Sequence, residues 1–314
     1  MPALGDVRAA AKAIAPYVVR TPLIRLNVSG YTGEILLKLE NLQAIGVFKA
    51  RPIANILLNA RPELLQTGVY TASSGNAGLA LAWMARKLDL AAKIYMPDFT
   101  PADKVAAIRN LGATIQQLPG QEWWEIILNG GHAHDPGMYV DAVRNPLAIA
   151  GSGTIGVEIA EQAPDADSVI VPFGGGGLSC GIAAAIRAVK PDMRVIVAES
   201  DAAAPLTAAL RAGRPVPVNM QQSFIFGAGA PIVLREMWPL INGLIDDSVV
   251  VTVSAVASAV RELFTTAKVI AEGAGAISVA GALSAGRVFR KTVCVVSGGN
   301  INSDTLTAIL RGPK

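Results

Sequence analysis

The sequence predicts an α/β fold, with largely parallel strands covered by helices on both faces. Three observations carry this. Short runs rich in Val, Ile and Leu alternate with longer alanine-rich stretches of helical character. The strand-like runs open into small, polar loops that lead into helices, not into tight hairpins. No repeat, low-complexity tract or heptad run breaks the alternation.

The elements follow in order. Residues 33–40 (GEILLKLE), 67–73 (TGVYTAS) and 91–98 (AAKIYMPD) read as strands, and 77–88 (AGLALAWMARKL) as the helix after the second. Residues 100–113 (TPADKVAAIRNLGA) read as a helix with marked ends. Thr100 is the expected N-cap and Pro101 the first helical residue; Asp103 completes a capping-box-like pair, and Gly112 is the stop. Further strands are expected at 168–173 (SVIVPF), 194–200 (RVIVAES) and within 292–300 (TVCVVSGGN), with a helix at 181–190 between the first two. No linker marks a boundary, so a second domain is expected to be inserted, not appended.

Composition narrows the function. A chain of 314 residues, 52% hydrophobic, can bury a large core in one large or two medium domains. A net charge of +3 without a dense basic block argues against a nucleic-acid partner. The N-terminus lacks an apolar leader. The two long uncharged runs, 168–186 and 215–234, are broken by glycines or by prolines and amides, so no membrane partner is expected and the reading is a soluble cytoplasmic protein. Cys180 and Cys294, far apart in apolar surroundings, read as buried free thiols. His132, His134 and Asp135 raise a metal reading; the glycines on both sides favour a mobile surface loop instead.

Ligands of open α/β sheets collect where strands end and helices begin, and three such junctions stand out. In PFGGGGLSCG (172–181), four glycines let backbone N–H groups converge on an anion at a helix N-terminus. A flexible turn alone would not need four of them. The spacing fits neither a dinucleotide fingerprint, whose third glycine would fall on Ser179 or Cys180, nor a Walker loop, which needs Gly-Lys-Ser/Thr. In TASSGNAG (71–78), Ser73, Ser74 and Asn76 place hydroxyls and an amide beside free N–H donors, a setting for a substrate carboxylate. VVSGGN (295–300) presents Ser297 at a strand end, a pattern that an ordinary turn shares.

Three lysines sit in apolar contexts: Lys38 on a strand, Lys268 on an expected helix face, and Lys49 in NLQAIGVFKAR. Lys49 follows a glycine-containing loop and adjoins Phe48. Desolvation of its amine would leave more of the neutral form needed to capture a carbonyl and move a proton.

Taken together, KLENLQ…GVFKAR, SSGNAG, MPDFTPADKVAAIRNLGA, AGSGTIGVEI, PFGGGGL, AEGAGA and SGGN resemble, in order and over nearly the whole chain, the serine/threonine dehydratase and serine racemase group of fold-type II pyridoxal-phosphate enzymes. The resemblance implies a tryptophan synthase β-like architecture of two open, twisted, mostly parallel sheets flanked by helices. It implies a large domain of residues 1–60 plus 145–314, a small inserted domain of 61–144, and no C-terminal regulatory domain. It implies pyridoxal 5′-phosphate as cofactor, a small amino-acid substrate and a homodimer.

Residue by residue, Lys49 would hold the cofactor aldehyde and Phe48 would lie near its ring. Gly174, Gly175, Gly176, Gly177 and Leu178 would cradle its phosphate. Asn76 would bond its ring hydroxyl, and Ser297 its pyridine nitrogen. Ser73, Ser74, Gly75, Asn76 and Ala77 would take the substrate carboxylate. Ser74 stands where the racemase branch has its second acid/base. The implied reaction is dehydration and deamination of a β-hydroxy L-amino acid to a 2-oxo acid and ammonia. Racemisation, β-replacement and, from another class, non-catalytic binding of a phosphate ligand stand as alternatives.

Departures from the family pattern sharpen this. Ala77 replaces a histidine and Leu79 a glutamine; Ala44, Ile45 and Val47 replace Pro, Thr and Ser. Glu199 matches one ligand of the divalent-cation site of racemase-like members, but Phe226 stands where its aspartate would be, so no metal is expected there. With Val47, Ala77, Phe224 and Phe226 on the substrate side, a roomy apolar pocket is expected, suited to a bulky substrate such as phenylserine; a broad threonine/serine dehydratase is the other reading.

Overall fold

The computed structural model describes residues 1–284 and 289–312. Ten strands form two sheets. They are β1 (Leu23–Leu26), β2 (Glu34–Leu39), β3 (Val69–Ala72), β4 (Ala92–Pro97), β5 (Thr114–Leu118), β6 (Met138–Tyr139), β7 (Ser168–Pro172), β8 (Arg194–Ser200), β9 (Asp247–Val251) and β10 (Lys291–Val296). The six-stranded sheet runs β1-β2-β10-β7-β8-β9 and the four-stranded sheet β5-β4-β3-β6. All pairings are parallel except β1 with β2.

Burial explains which strands were legible. β2, β7, β8 and β10 are buried almost throughout, and each reads as a continuous apolar run. The unread strands are edges: β1, β5 with its exposed TIQQL, the two-residue β6, and β9. The AGSGTIGVEI segment lies in the helix Pro146–Gln162, which packs against the helix Gly177–Val189. A Cβ on Gly156 would lie 2.8 Å from the Ile182 carbonyl, so only glycine permits this approach.

The core beneath the small sheet crosses the chain. It joins Ile94 and Val69 to Ile14, Ile53, Leu57 and Ala148. The helix Ala50–Leu58, which starts directly after Lys49, is thereby buried against the helix Asn76–Lys87.

Three expectations are corrected. The helix after β4 spans Ala102–Arg109, with Pro101 itself as N-cap. Thr100 turns one residue earlier, and its buried hydroxyl finds no partner. Lys268 is not on a helix face; it follows a π-turn at φ +58° and is exposed. The His132 loop is pinned, not loose. His132 stacks on Tyr95 at 5.0 Å, and Asp135 accepts hydrogen bonds from Lys93 and Tyr95, both at 2.8 Å. Cys180 and Cys294, by contrast, are free and buried as expected, and burial pushes both thiols up.

Candidate active site

Lys49 closes the loop between β2 and the helix Ala50–Leu58. A buried charge cluster fixes this loop from below. The Arg51 guanidinium pairs with Glu40 at 2.8 Å and Glu158 at 2.7 Å, and Lys38 pairs with Glu158 at 2.6 Å. Two cations face two carboxylates, so the charges balance where water is scarce. From above, the loop is stitched to the segment after β10. Phe48 N–H donates to the Ser297 carbonyl at 2.9 Å, Gly299 N–H to Gly46 at 2.8 Å, and Asn300 Nδ2 to Ile45 at 3.0 Å.

The Lys49 amine lies 4.9 Å from the Phe48 ring centroid and 3.4 Å from the Ala142 carbonyl. Burial lowers its pKa to about 8, against the opposing pull of Asp141. A sizeable fraction is therefore neutral near physiological pH.

The same Ala142 carbonyl borders the glycine loop: a Cβ on Gly177 would lie 3.3 Å from it. The loop joins β7 to the helix Gly177–Val189, with Gly176 turning it at φ +94°. Side chains have no room. A Cβ on Gly174 would meet the Gly227 carbonyl at 2.6 Å, and one on Gly175 would meet Val143 at 2.8 Å. The amides of Gly174, Gly175 and Gly176 donate to no described residue, and those of the first helical turn have no intrahelical acceptor. Leu178 follows, buried, in that first turn. This is a set of unpaired donors waiting for an anion.

Ser297 is buried at the end of β10, its hydroxyl 3.3 Å from the Ala274 carbonyl. The fourth loop runs from β3 into the helix Asn76–Lys87. Ser73 Oγ accepts from Gly75 N–H at 3.1 Å, while Ser74 and Ala77 are half-buried. Asn76 reaches across to the larger sheet: its Nδ2 donates to Glu272 at 2.6 Å and its Oδ1 accepts from Asn300 at 3.0 Å.

Glu272, Asn300 and Lys104 were given no role from the sequence. Glu272 is 4% exposed, and burial raises its pKa to about 7, opposed by Lys104 and by the hydrogen bond from Asn76. The available signal was a lone carboxylate in the apolar run VIAEGAGAISVAGAL.

Two adjoining cavities open beside the 73–77 loop and the Asn300 segment. One, of about 200 Å³, is lined by Gly75, Asn76, Leu79, Lys104 and Asn300 among others. The other, of about 140 Å³, is lined by Phe224, Phe226, Lys104, Glu272 and Asn302 among others. Both mix apolar and polar walls, so the space is less apolar than Val47, Ala77, Phe224 and Phe226 promised. Val47 lines neither cavity; it is 1% exposed and packs against Gly298. Glu199 is occupied elsewhere, accepting from Leu206 N–H, Thr207 N–H and the Thr207 hydroxyl. Among the described residues, no three His, Cys, Asp or Glu side chains form a metal-binding group, and no helix is long and apolar enough to cross a membrane.

Few molecules satisfy such a site. An amine kept partly neutral calls for an aldehyde, and the unpaired amides beside it call for an anion. Pyridoxal phosphate carries both, and the donor set fits it. The class defined is that of α/β enzymes carrying this cofactor on a lysine. Comparison with known proteins agrees: the family described as "Pyridoxal-phosphate dependent enzyme" matches residues 14–299, and the chain belongs to that family.

Over 280 residues it is 36% identical to an L-threonine ammonia-lyase of Geobacter sulfurreducens, covering 88% of this chain and 69% of that protein. Among solved structures it is similar to maize serine racemase, with TM-score 0.89, 30% identity and coverage of 97% and 95% of the two chains. It is also similar to a threonine deaminase from T.th., with TM-score 0.88, 31% identity and coverage of 96% and 99%. The fold is that of fold type II, and the chain is a pyridoxal-phosphate-dependent lyase.

Proposed function

We propose that the protein dehydrates and deaminates β-hydroxy L-amino acids. The substrate loses water across its α and β carbons; the enamine regains water, giving a 2-oxo acid and ammonia. The observation that carries this is the buried Lys49 amine, with a pKa of about 8, 3.4 Å from the Ala142 carbonyl that also borders the glycine loop. Bound there, the cofactor supplies an electron sink at the substrate's α-carbon.

The chain's residues do the rest. Lys49 would hold the cofactor's aldehyde, and its amine would take the substrate's α-proton. The amides of Gly174, Gly175, Gly176, Gly177 and Leu178 would hold its phosphate, and Phe48 would lie near its ring. Asn76, whose amide is oriented by Glu272 and Asn300, would bond the ring hydroxyl. Ser297 would offer the pyridine nitrogen a neutral hydroxyl in place of a carboxylate, which would moderate the sink and favour loss of the β-group over transamination. Ser73, Ser74, Gly75, Asn76 and Ala77 would orient the substrate carboxylate, and Ser74 would also return a proton from the other face in a racemising side reaction. The two sheets support a division into 61–144 and the remainder, with the reaction between them.

Threonine and serine are the first substrates of this reading. One observation favours a second: Phe224 and Phe226 both line the smaller cavity, a wall suited to the phenyl group of phenylserine. A screen of L-threonine, L-serine and L-threo-phenylserine, reading both 2-oxo acid release and enantiomer conversion, tests both. Equal or better use of serine sinks the phenylserine reading, and absence of 2-oxo acid from all three sinks dehydration.

A further inference from the structure

Lys104 is the one cationic side chain among the residues lining the two substrate-side cavities, and it lines both. It sits in the first turn of the helix Ala102–Arg109 and is only half-buried, as a solvated helix lysine would be. Its surroundings are not those of a solvated lysine. No carboxylate of the described residues lies within ion-pair distance of its amine. Asp103, beside it, is engaged by Asn302 at 2.9 Å. Glu272 is near enough to feel its charge, yet its carboxylate receives Asn76. The amine instead lies over the Phe226 ring, 4.6 Å from the centroid, a contact a stronger anionic partner can outcompete.

The decisive contact is with the 73–77 loop. A Cβ on Gly75 would lie 3.6 Å from the Lys104 amine and 3.5 Å from its Cδ. Both are ordinary van der Waals distances, so the lysine lies in contact range of the loop backbone. The Lys104 amine and the backbone of Gly75 and Asn76 thus border one cavity.

We propose that Lys104 is the counter-ion of the substrate's α-carboxylate, held on the Phe226 ring until substrate arrives. This rests on the reading of the 73–77 loop as the carboxylate site. It defines the substrate class: amino acids with a free carboxylate, as against their amides or the corresponding amines. The loop donors fix the carboxylate's orientation, and Lys104 adds the charge that makes binding selective.

The test compares wild type, Lys104→Met and Lys104→Arg holoenzymes with L-alanine and L-alaninamide. Neither ligand has a β leaving group, so dissociation constants come from the cofactor's absorbance change without turnover. Lys104→Met is expected to weaken L-alanine about 10- to 100-fold, to leave L-alaninamide within about twofold, and to keep the resting spectrum; Lys104→Arg is expected to recover most of the loss. With L-threonine the loss should fall on KM far more than on kcat. Equal weakening of acid and amide would overturn the proposal, as would unchanged binding of both or a loss confined to kcat. The alanine arm stands even if no 2-oxo acid is released from threonine, so failure of the dehydratase reading and failure of this proposal are separate results.

Discussion

Replacing Glu272 by Gln tests whether a carboxyl in this site carries an electrostatic penalty that depends on pH. Glu272 is 4% exposed and its pKa rises from 4.5 to about 7, mainly through burial. The folded protein therefore binds more protons than the unfolded chain between those values, so stability falls as pH rises. The contribution is fully present below 4.5, is lost as pH passes through about 7, and stays lost above it. At ~1.4 kcal/mol per decade, the loss is about 3 kcal/mol. Glutamine keeps the shape and an acceptor oxygen for Asn76 but cannot ionise. Relative to wild type, Glu272→Gln should gain about 3 kcal/mol between pH 4.5 and 8, read as the difference between urea unfolding curves taken across that range. A stability difference that stays constant with pH would refute the reasoning, because a packing effect does not titrate.

Three further outcomes follow from the same geometry. Lys49→Ala should abolish the cofactor's visible absorbance, and in wild type the rate of cofactor reloading should rise with pH and level off above about 8, where the amine is neutral; a rise continuing toward 10.5 would mean that the amine is not desolvated. Gly174→Ala must push against the Gly227 carbonyl; a destabilisation of roughly 1–3 kcal/mol and faster cofactor loss on dialysis are expected. Glu158→Ala leaves Lys38 and Arg51 to share Glu40, and should cost about 3–5 kcal/mol in urea unfolding, while pairing Lys38→Met with Glu158→Leu should cost less.

How much of this was legible in the sequence depends on the distance over which each feature is determined. The buried strands and the glycine loop are local: an apolar run bounded by small residues specifies β7 and the turn after it without reference to anything else. Lys49 was legible because its neighbours are apolar in sequence as well as in space. Glu272 and Asn300 were not, because their partner Asn76 is 196 and 224 residues away along the chain. Val47 shows the opposite error. Its position in the lysine loop implied a pocket wall, whereas the pairing of that loop with Gly298 turns it into the core. Thr100 failed more narrowly: the cap moved by one residue because Pro101, extended at ψ 139°, already fills the N-cap position.

The two sheets divide the work of the site unequally. Lys49, the glycine loop, Ser297 and Glu272 all belong to segments outside 61–144, so under the proposed reading most of the cofactor's contacts would come from the larger sheet and its loops, with Asn76 the exception. Ser73, Asn76 and Lys104 belong to 61–144, which under the same reading would bear the substrate. The contacts of Asn76 with Glu272 and Asn300, and of Asp103 with Asn302, tie the two parts together directly across the substrate cavities. Changes confined to 61–144 should therefore act chiefly on substrate affinity and leave the cofactor spectrum intact, whereas changes at the ends of β7 and β10 should act first on cofactor retention. Asn76 belongs to both groups, because it bonds Glu272 on one side and opens the substrate loop on the other. Under the proposed reading, an altered substrate fit would reach the cofactor's ring through this position.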